Sequence, residues 1–485
     1  MHHGSRGRFV PILLVIAASL GCAVGPNPKR PATVADAAPS YVHGEVREAP
    51  PPEPGEWWKA FGDETVDALV AEALENNPDV LSAAARVVES RASLTAAGSS
   101  LWPQLALEGA RSESENSMVL PGTGRMNIES TTYSADLSVS WELDLFGKLR
   151  RTRQAAWSEA LAAEADRKAV RHAVIAAVVR GRIDVAALHE RLRYAEATAE
   201  SWRQTLRSVE HRYRMGVTGP LDLRLARDNM AAAEANVPSL RAALANARHA
   251  LDVLTGRRPG TGEVPEVSLP SLPDLGPVPT GLPIDLLDRR PDLEAAEMRL
   301  AGATSRVGIA MASLFPGLRL TGSKGRRSDG LSGLTSPDNA VYATLVSLLQ
   351  PIFQGGRLRA EVKAARARED QAAAAYASAV LNALREVEDA LVAEEAHRER
   401  LDHLGLRVEE ARRAHCLAGD RYTTGVSGLL TLLETERRRN LAETEAISAR
   451  ADVWRARVAL HLALGGDWGP NGGTEPREDR SGELP

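Results

Sequence analysis

Arg212-Tyr213-Arg214-Met215-Gly216-Val217-Thr218-Gly219 returns, 209 residues later, as Arg421-Tyr422-Thr423-Thr424-Gly425-Val426-Ser427-Gly428. Two segments upstream behave the same way. Asn76-Asn77-Pro78-Asp79 recurs as Arg289-Arg290-Pro291-Asp292, and Leu101-Trp102-Pro103 as Leu314-Phe315-Pro316, both at an offset of 213. One such match arises easily by chance, but three in the same order do not. The change of offset requires only that the second copy's loops be four residues shorter. The chain therefore reads as a tandem duplication.

Each copy has the same plan. A helix over roughly 64–101, and again over 284–313, ends where Pro103 or Pro316 blocks continuation. Two strand candidates follow around a polar, Gly-rich loop, Met118 to Ser130 and Gly322 to Asn339. A very long helix then starts at Lys148 and at Arg357, breaks at the repeated Arg-Tyr segment, and resumes to about Gly256 or Gly465. No proline lies between Phe353 and Gly469, which suits helices of about 68 and about 37 residues, the longer reaching about 100 Å. Val170, Val174, Ala177, Gly181, Val185, Leu188, Leu192, Ala195, Ala199, Trp202, Leu206, Val209 and Tyr213 step by threes and fours, a coiled-coil seam. Leu401, Leu404, Val408 and Ala411 continue it in phase in the second copy. Pro238 has no counterpart there and predicts a kink or break in the resumed helix of copy one.

Residues 133–145 alternate. Tyr133, Ala135, Leu137, Val139, Trp141, Leu143 and Leu145 point one way, and Ser134, Asp136, Ser138, Ser140, Glu142 and Asp144 the other. An apolar face backed by an acidic one describes a strand between lipid and water, with Tyr133, Leu137, Val139, Trp141 and Leu143 toward lipid. A half-buried strand of a soluble sandwich gives the same pattern, but strands isolated among long helices favour the membrane. The equivalent strand, near Val341–Phe353, alternates less cleanly. Beyond residue 22 no apolar run reaches the roughly 20 residues of a spanning helix, so any crossing uses strands. Four strands cannot close a bilayer barrel, and open edges are not tolerated in hydrocarbon. The expected fold is mainly α with membrane β: four barrel strands and long coiled-coil helices per chain, sharing a barrel with further copies. Three copies would give twelve strands.

The ends and the composition fit. Arg6 and Arg8, the apolar run Phe9–Leu20 and then Gly21 form a signal peptide over 1–21, with Cys22 as the candidate lipidated N-terminus. Along the chain we expect an anchored segment at 22–62, repeat one at 63–258, a Pro-rich linker at 259–282, repeat two at 283–466 and a disordered tail at 467–485. The net charge of −5 gives no basic excess for nucleic acid. The two cysteines, Cys22 and Cys416, form no zinc spacing, and the eleven histidines form no metal or catalytic pair, so no cofactor, metal or enzymatic activity is expected. Asp285, Asp288, Arg289 and Arg290 precede Pro291 and read as helix capping and dipole compensation.

Gly21-Cys22-Ala23-Val24-Gly25-Pro26-Asn27-Pro28-Lys29-Arg30-Pro31, Trp57-Trp58-Lys59-Ala60-Phe61-Gly62-Asp63, Gly281 to Asp292 through Leu286-Leu287-Asp288-Arg289-Arg290-Pro291-Asp292, and Pro351-Ile352-Phe353-Gln354-Gly355-Gly356-Arg357 carry a resemblance. Over roughly residues 20–470 the chain resembles the TolC-like outer-membrane factors of tripartite exporters, and among them the OprM/NodT-like lipoproteins. The resemblance implies a homotrimer in outer-membrane lipid with a twelve-stranded barrel and a periplasmic helical tunnel. It implies a passive exit duct for drugs or other small toxic compounds, partnered by a periplasmic adaptor and an inner-membrane pump of the RND type. It also implies acylation of Cys22, although Ser19 stands where the lipoprotein box has Leu. The family's narrow periplasmic mouth maps onto Leu430 and Glu434, with Glu in place of the family's Asp. A surface pairing of Glu434 with Arg437 or Arg438 is the competing reading. The turns at Gly216, Gly219, Gly425 and Gly428 become the adaptor-docking tips, and Tyr213 and Tyr422 there read equally as hydrogen-bonded ties between helices or as ordinary seam aromatics. A type I protein-secretion outlet and a non-conducting, periplasm-spanning lipoprotein are the alternatives.

Overall fold

The computed structural model describes residues 23–37, 40–43, 57–120, 124–262 and 283–466. The expected signal peptide, Cys22, most of the Pro-rich linker and the tail from 467 lie outside them. In chain order the main elements are α1 (Glu64–Asn76), α2 (Pro78–Ser99), β1 (Gln104–Leu120), β2 (Gly124–Leu143), α3 (Lys148–Arg214) and α4 (Pro220–Leu254). Then follow α5 (Pro291–Ala312), β3 (Gly317–Ser328), β4 (Ala340–Leu349), α6 (Arg357–Thr423) and α7 (Leu429–Ala463). Helices α3 and α6 have 67 residues each, and α4 and α7 have 35 each.

The single helix expected over 64–101 is two helices, broken at Asn77. The one expected over 284–313 is a turn at Leu286–Arg289 followed by α5. Both breaks have one cause. A proline's ring pushes the preceding residue out of the helical region, and Asn77 (ψ 127°) and Arg290 (ψ 116°) are extended. The expected loops are also shorter than read: strand continues to Leu120 and restarts at Gly124, and β3 runs on to Ser328. Helix α4 passes Pro238 unbroken. Pro238 is exposed, so the carbonyl deprived of its donor can turn to water.

The chain forms two compact units, each drawing on both copies. The first comprises Met1–Pro31, Arg86–Glu164 and Ala295–Tyr376 and holds the sheet. Its four strands are antiparallel in the order β1-β2-β3-β4, so the two hairpins lie side by side and β1 and β4 are its edges. Trp141 Nε1 donates to Leu101 O at 3.0 Å, and at the equivalent place Gln350 Nε2 donates to Leu314 O at 3.1 Å. Ala23 and Gly25 run against this unit's backbone. A Cβ on Gly147 would lie 2.7 Å from Ala23 Cα, and one on Gly25 2.6 Å from Gly308 Cα.

The second unit comprises Ala32–Ala85, Ala165–Glu294 and Ala377–Pro485. Its core gathers Trp57, Trp58, Val70, Val178, Val179, Leu251, Trp454 and Val458. Here burial covers more of α3 than one seam, because Ile175, Val179, Ile183 and Ala187 are buried beside Val174 and Val185. Toward the tips a second cluster joins Trp202, Val209, Leu223, Tyr422, Leu429 and Leu433. The repeat is legible in its contacts. Asn77 Nδ2 donates to Leu254 O at 2.8 Å, and its counterpart Arg290 donates from Nη1 to Ala463 O at 3.1 Å. Asn77 Oδ1 also accepts from Asp79 N and Val80 N, capping α2. Arg290 instead pairs with Asp292 at 2.7 Å and Glu386 at 2.8 Å. Asp285 makes no capping bond and pairs with Arg289 at 3.5 Å.

Candidate functional site

Directly opposed residues of antiparallel strands share a face, so the register defines both faces of the sheet. Leu137 lies opposite Leu107 and Lys324, Val139 opposite Leu105 and Gly322, and Trp141 opposite Leu320. Leu318 and Leu320 face Leu348 and Val346 on β4. This face is an apolar band. The other carries Glu108 opposite Asp136, Ser138 opposite Ser323, and Glu142 opposite Arg319. Leu105, Leu107, Leu137, Val346 and Leu348 are exposed in the single chain, as an unpartnered membrane face requires. Leu143 departs from the expected set. It is only 6% exposed, covered by its own chain at the foot of β2.

Each helical arm ends in a tight turn of the same construction. Gly216 and Gly425 have φ of +72° and +77°, a conformation in which a Cβ is strained. The turn is closed by Val217 N to Arg212 O at 2.9 Å, and by Val426 N to Arg421 O at 2.8 Å. Gly219 and Gly428 cap the following helices with ordinary φ of −85° and −76°. A Cβ at any of the four would meet nothing within 4 Å. The two tyrosines differ. Tyr213 is 41% exposed, whereas Tyr422 is buried beneath Arg212, whose guanidinium carbon is 4.7 Å from the ring centroid. The Tyr422 hydroxyl has no hydrogen-bond partner among the described residues, and burial raises its pKa. Tyr422 ties the helices through the cation–π contact and through Arg212 Nη1, which donates to its carbonyl at 3.5 Å, and not through its hydroxyl.

Leu430 and Glu434 lie on the first turns of α7. Leu430 is 62% exposed. Glu434 accepts from Arg437 at 3.0 and 3.1 Å and from Arg438 at 2.7 Å. These bonds lower its pKa to about 2. Within the single chain Glu434 thus forms the surface pairing with both Arg437 and Arg438. Leu225, its counterpart in copy one, packs against the tip cluster. Two turns from the tip lies Glu436, which no sequence signal picks out. It is 1% exposed, with Ser201 Oγ at 3.3 Å and Arg439 at 3.8 Å, and burial raises its pKa. Among the described residues no group of acids, histidines or cysteines could hold a metal, and no helix is long and apolar enough to cross a membrane. Cys416 is free and exposed.

Comparison with known proteins follows this division of the chain. The family model described as outer membrane efflux protein matches residues 69–257 and 282–466. The pyoverdine export outer membrane protein OpmQ of Pseudomonas aeruginosa is 34% identical over 427 residues, 85% of this chain and 87% of that protein. The toluene efflux pump outer membrane protein TtgI of Pseudomonas putida is 32% identical, with 84% and 86% covered. Among solved structures, the outer-membrane channel OprN superposes with a TM-score of 0.82 at 32% identity, over 92% of this chain and all of that one.

Proposed function

The chain belongs to the outer membrane efflux protein family, and from that membership we propose that three copies close a twelve-stranded barrel forming a passive exit duct for small toxic compounds. In this reading the protein is the outer-membrane channel component of an efflux system, fed by a periplasmic adaptor and an inner-membrane pump. One observation carries it. The sheet has an apolar face, a polar face and two bare edges, β1 of 17 residues and β4 of 10. Unpaired backbone in hydrocarbon costs several kcal/mol per group, about the largest penalty a membrane protein can incur, so each β4 must find a β1. A lumen lined by Ser138, Ser323, Asp136 and Glu142 suits water and solutes. Energy comes from the pump, and the duct need not choose its cargo.

The repeat supplies the geometry of the junction. Within the chain, Leu137 of β2 pairs with Lys324 of β3. Carried across the repeat offsets, that register places Val346 of one copy opposite Arg111 of the next, and Thr344 opposite Glu113. With Cys416 replaced by Ser, a Thr344→Cys/Glu113→Cys chain should oxidise to a covalent three-chain ladder, because such opposed Cβ atoms lie about 5 Å apart. Chains that remain single, or that stop at two, would defeat the twelve-stranded reading. The same complex in a planar bilayer should show single-channel steps, and silence there would favour a non-conducting scaffold. The close packing of Ala23 and Gly25 against the strand-bearing unit supports a lipid anchor at Cys22. A Cys22→Ser chain should incorporate no labelled acyl chain.

A further inference from the structure

Arg111 and Lys324 occupy the same place in the two copies, 213 positions apart, and Tyr133 and Tyr342 do likewise at 209. The register sets each cation directly opposite its tyrosine, Arg111 with Tyr133 and Lys324 with Tyr342. Both pairs stand on the apolar face, since Lys324 also lies opposite Leu137, which faces Leu107. The Arg111 guanidinium carbon is 5.9 Å from the Tyr133 ring centroid, and Tyr342 is 84% exposed. Neither the Lys324 row nor the next, which holds Gly109, Ala135, Arg326 and Ala340, contains a carboxylate. Arg326 adds a third cation, with one nitrogen bonded to the carbonyls of Leu334 and Thr335. Among the described residues, Arg111 alone of the three has a paired acid, Glu113 at 3.0 Å.

The height of these pairs identifies what they meet. From Trp141 to Tyr133 is eight residues, about 26 Å of strand and about 20 Å of height at a tilt near 40°. A barrel's apolar band is about 25 Å tall and is bounded by aromatic girdles. Trp141, next to the helices, marks one boundary, and the cation–tyrosine pairs mark the other. A lysine on a lipid-facing strand is costly unless its head reaches the headgroups, where phosphate is the available anion. We propose that these repeated cation–tyrosine pairs, two per chain, bind the phosphate groups of an anionic lipid in the leaflet distal to the helices. The cation takes the phosphate by a charge-assisted hydrogen bond, and the tyrosine hydroxyl supplies a second donor at the same level.

The proposal rests on the reading that this face meets lipid, and the test separates the two. The acylated, assembled protein in neutral detergent is titrated with a bisphosphorylated acyl glycolipid and with its dephosphorylated form, and bound lipid is counted by native mass spectrometry. The phosphorylated form should be retained preferentially. Arg111→Gln/Lys324→Gln should weaken that retention about tenfold, while Arg111→Lys/Lys324→Arg should restore it. Equal retention of both lipids, indifference to the Gln pair, or displacement by millimolar inorganic phosphate would overturn the site. A fluorophore at Leu137→Cys, in vesicles with brominated acyl chains, reports on the face itself. Quenching without phosphate preference overturns the headgroup site alone, whereas absence of quenching overturns the membrane reading with it.

Discussion

Gly425 and Gly428 stand three residues apart on one turn and answer to different constraints. Gly425, at φ +77°, is required by the backbone, and Gly425→Ala should cost about 1–2 kcal/mol in local stability, read as faster proteolysis at the tip. Gly428, at φ −76°, has no such need and open space around it, and Gly428→Ala should cost only the poorer helix cap, about 0.5–1 kcal/mol. If the tips dock an adaptor, that same substitution should still weaken adaptor retention after cross-linking. Glu434 gives a prediction with a definite sign. Its pKa is lowered, so its ion pairs are complete above the ordinary carboxylate range and are lost only as pH falls toward about 2. The parent's conductance should therefore not change with Glu434 titration between pH 7 and pH 5, and any difference from Glu434→Gln should shrink only as pH falls toward about 2 and the carboxylate is neutralised. The turns are legible in the sequence because the Arg-Tyr-x-x-Gly-Val-x-Gly segment repeats, whereas which of its glycines takes positive φ is not. Nor is the burial of Leu143: period-two alternation assigns a face but cannot tell whether the chain's own next segment covers it.

At the scale of elements, the repeated clamp between a helix start and a helix end carries different loads in the two copies. Arg290 is buried and holds Asp292, Glu386 and the Ala463 carbonyl, but both acids are about half exposed, so Arg290→Ala chiefly loses charged hydrogen bonds and should cost about 1.5–3 kcal/mol. Asn77 makes a neutral cap and one neutral bond, and Asn77→Ala should cost about 1–2 kcal/mol. Thermal melting monitored by helical circular dichroism would rank the two. Pro238→Ala should slow hydrogen exchange over 230–245, since proline costs about 3 kcal/mol more than alanine inside a helix. The long helices and their seam are legible because three-and-four spacing sustained from Val170 to Tyr213 has no competing pattern. The breaks at Asn77 and Arg290 are hidden in the sequence because apolar periodicity resumes beyond each proline. The strand ends around 118–130 are equally hidden, because the stretch is Gly-rich and polar, with little apolar alternation to mark a face.

For the whole molecule, what decided the reading was a deficit. Four strands are too few for a barrel, and that much was countable from the sequence. The order of the strands was not, because nothing in either hairpin alone says that β2 pairs with β3. That seam unites two halves of one polypeptide through eleven opposed residue pairs, from Tyr133 with Ser328 to Leu143 with Leu318. It is built from the same two kinds of strand that the junction between copies would use. If three copies close the barrel as proposed, a boundary inside the molecule and a boundary between molecules are alike in kind, and covalent continuity across the seam is dispensable. Two fragments, 1–262 and 283–485, each with its own signal peptide and made together in one cell, should assemble into a six-piece ring that conducts like the parent. Such a ring would be a working likeness of the half-length ancestor that the duplication implies.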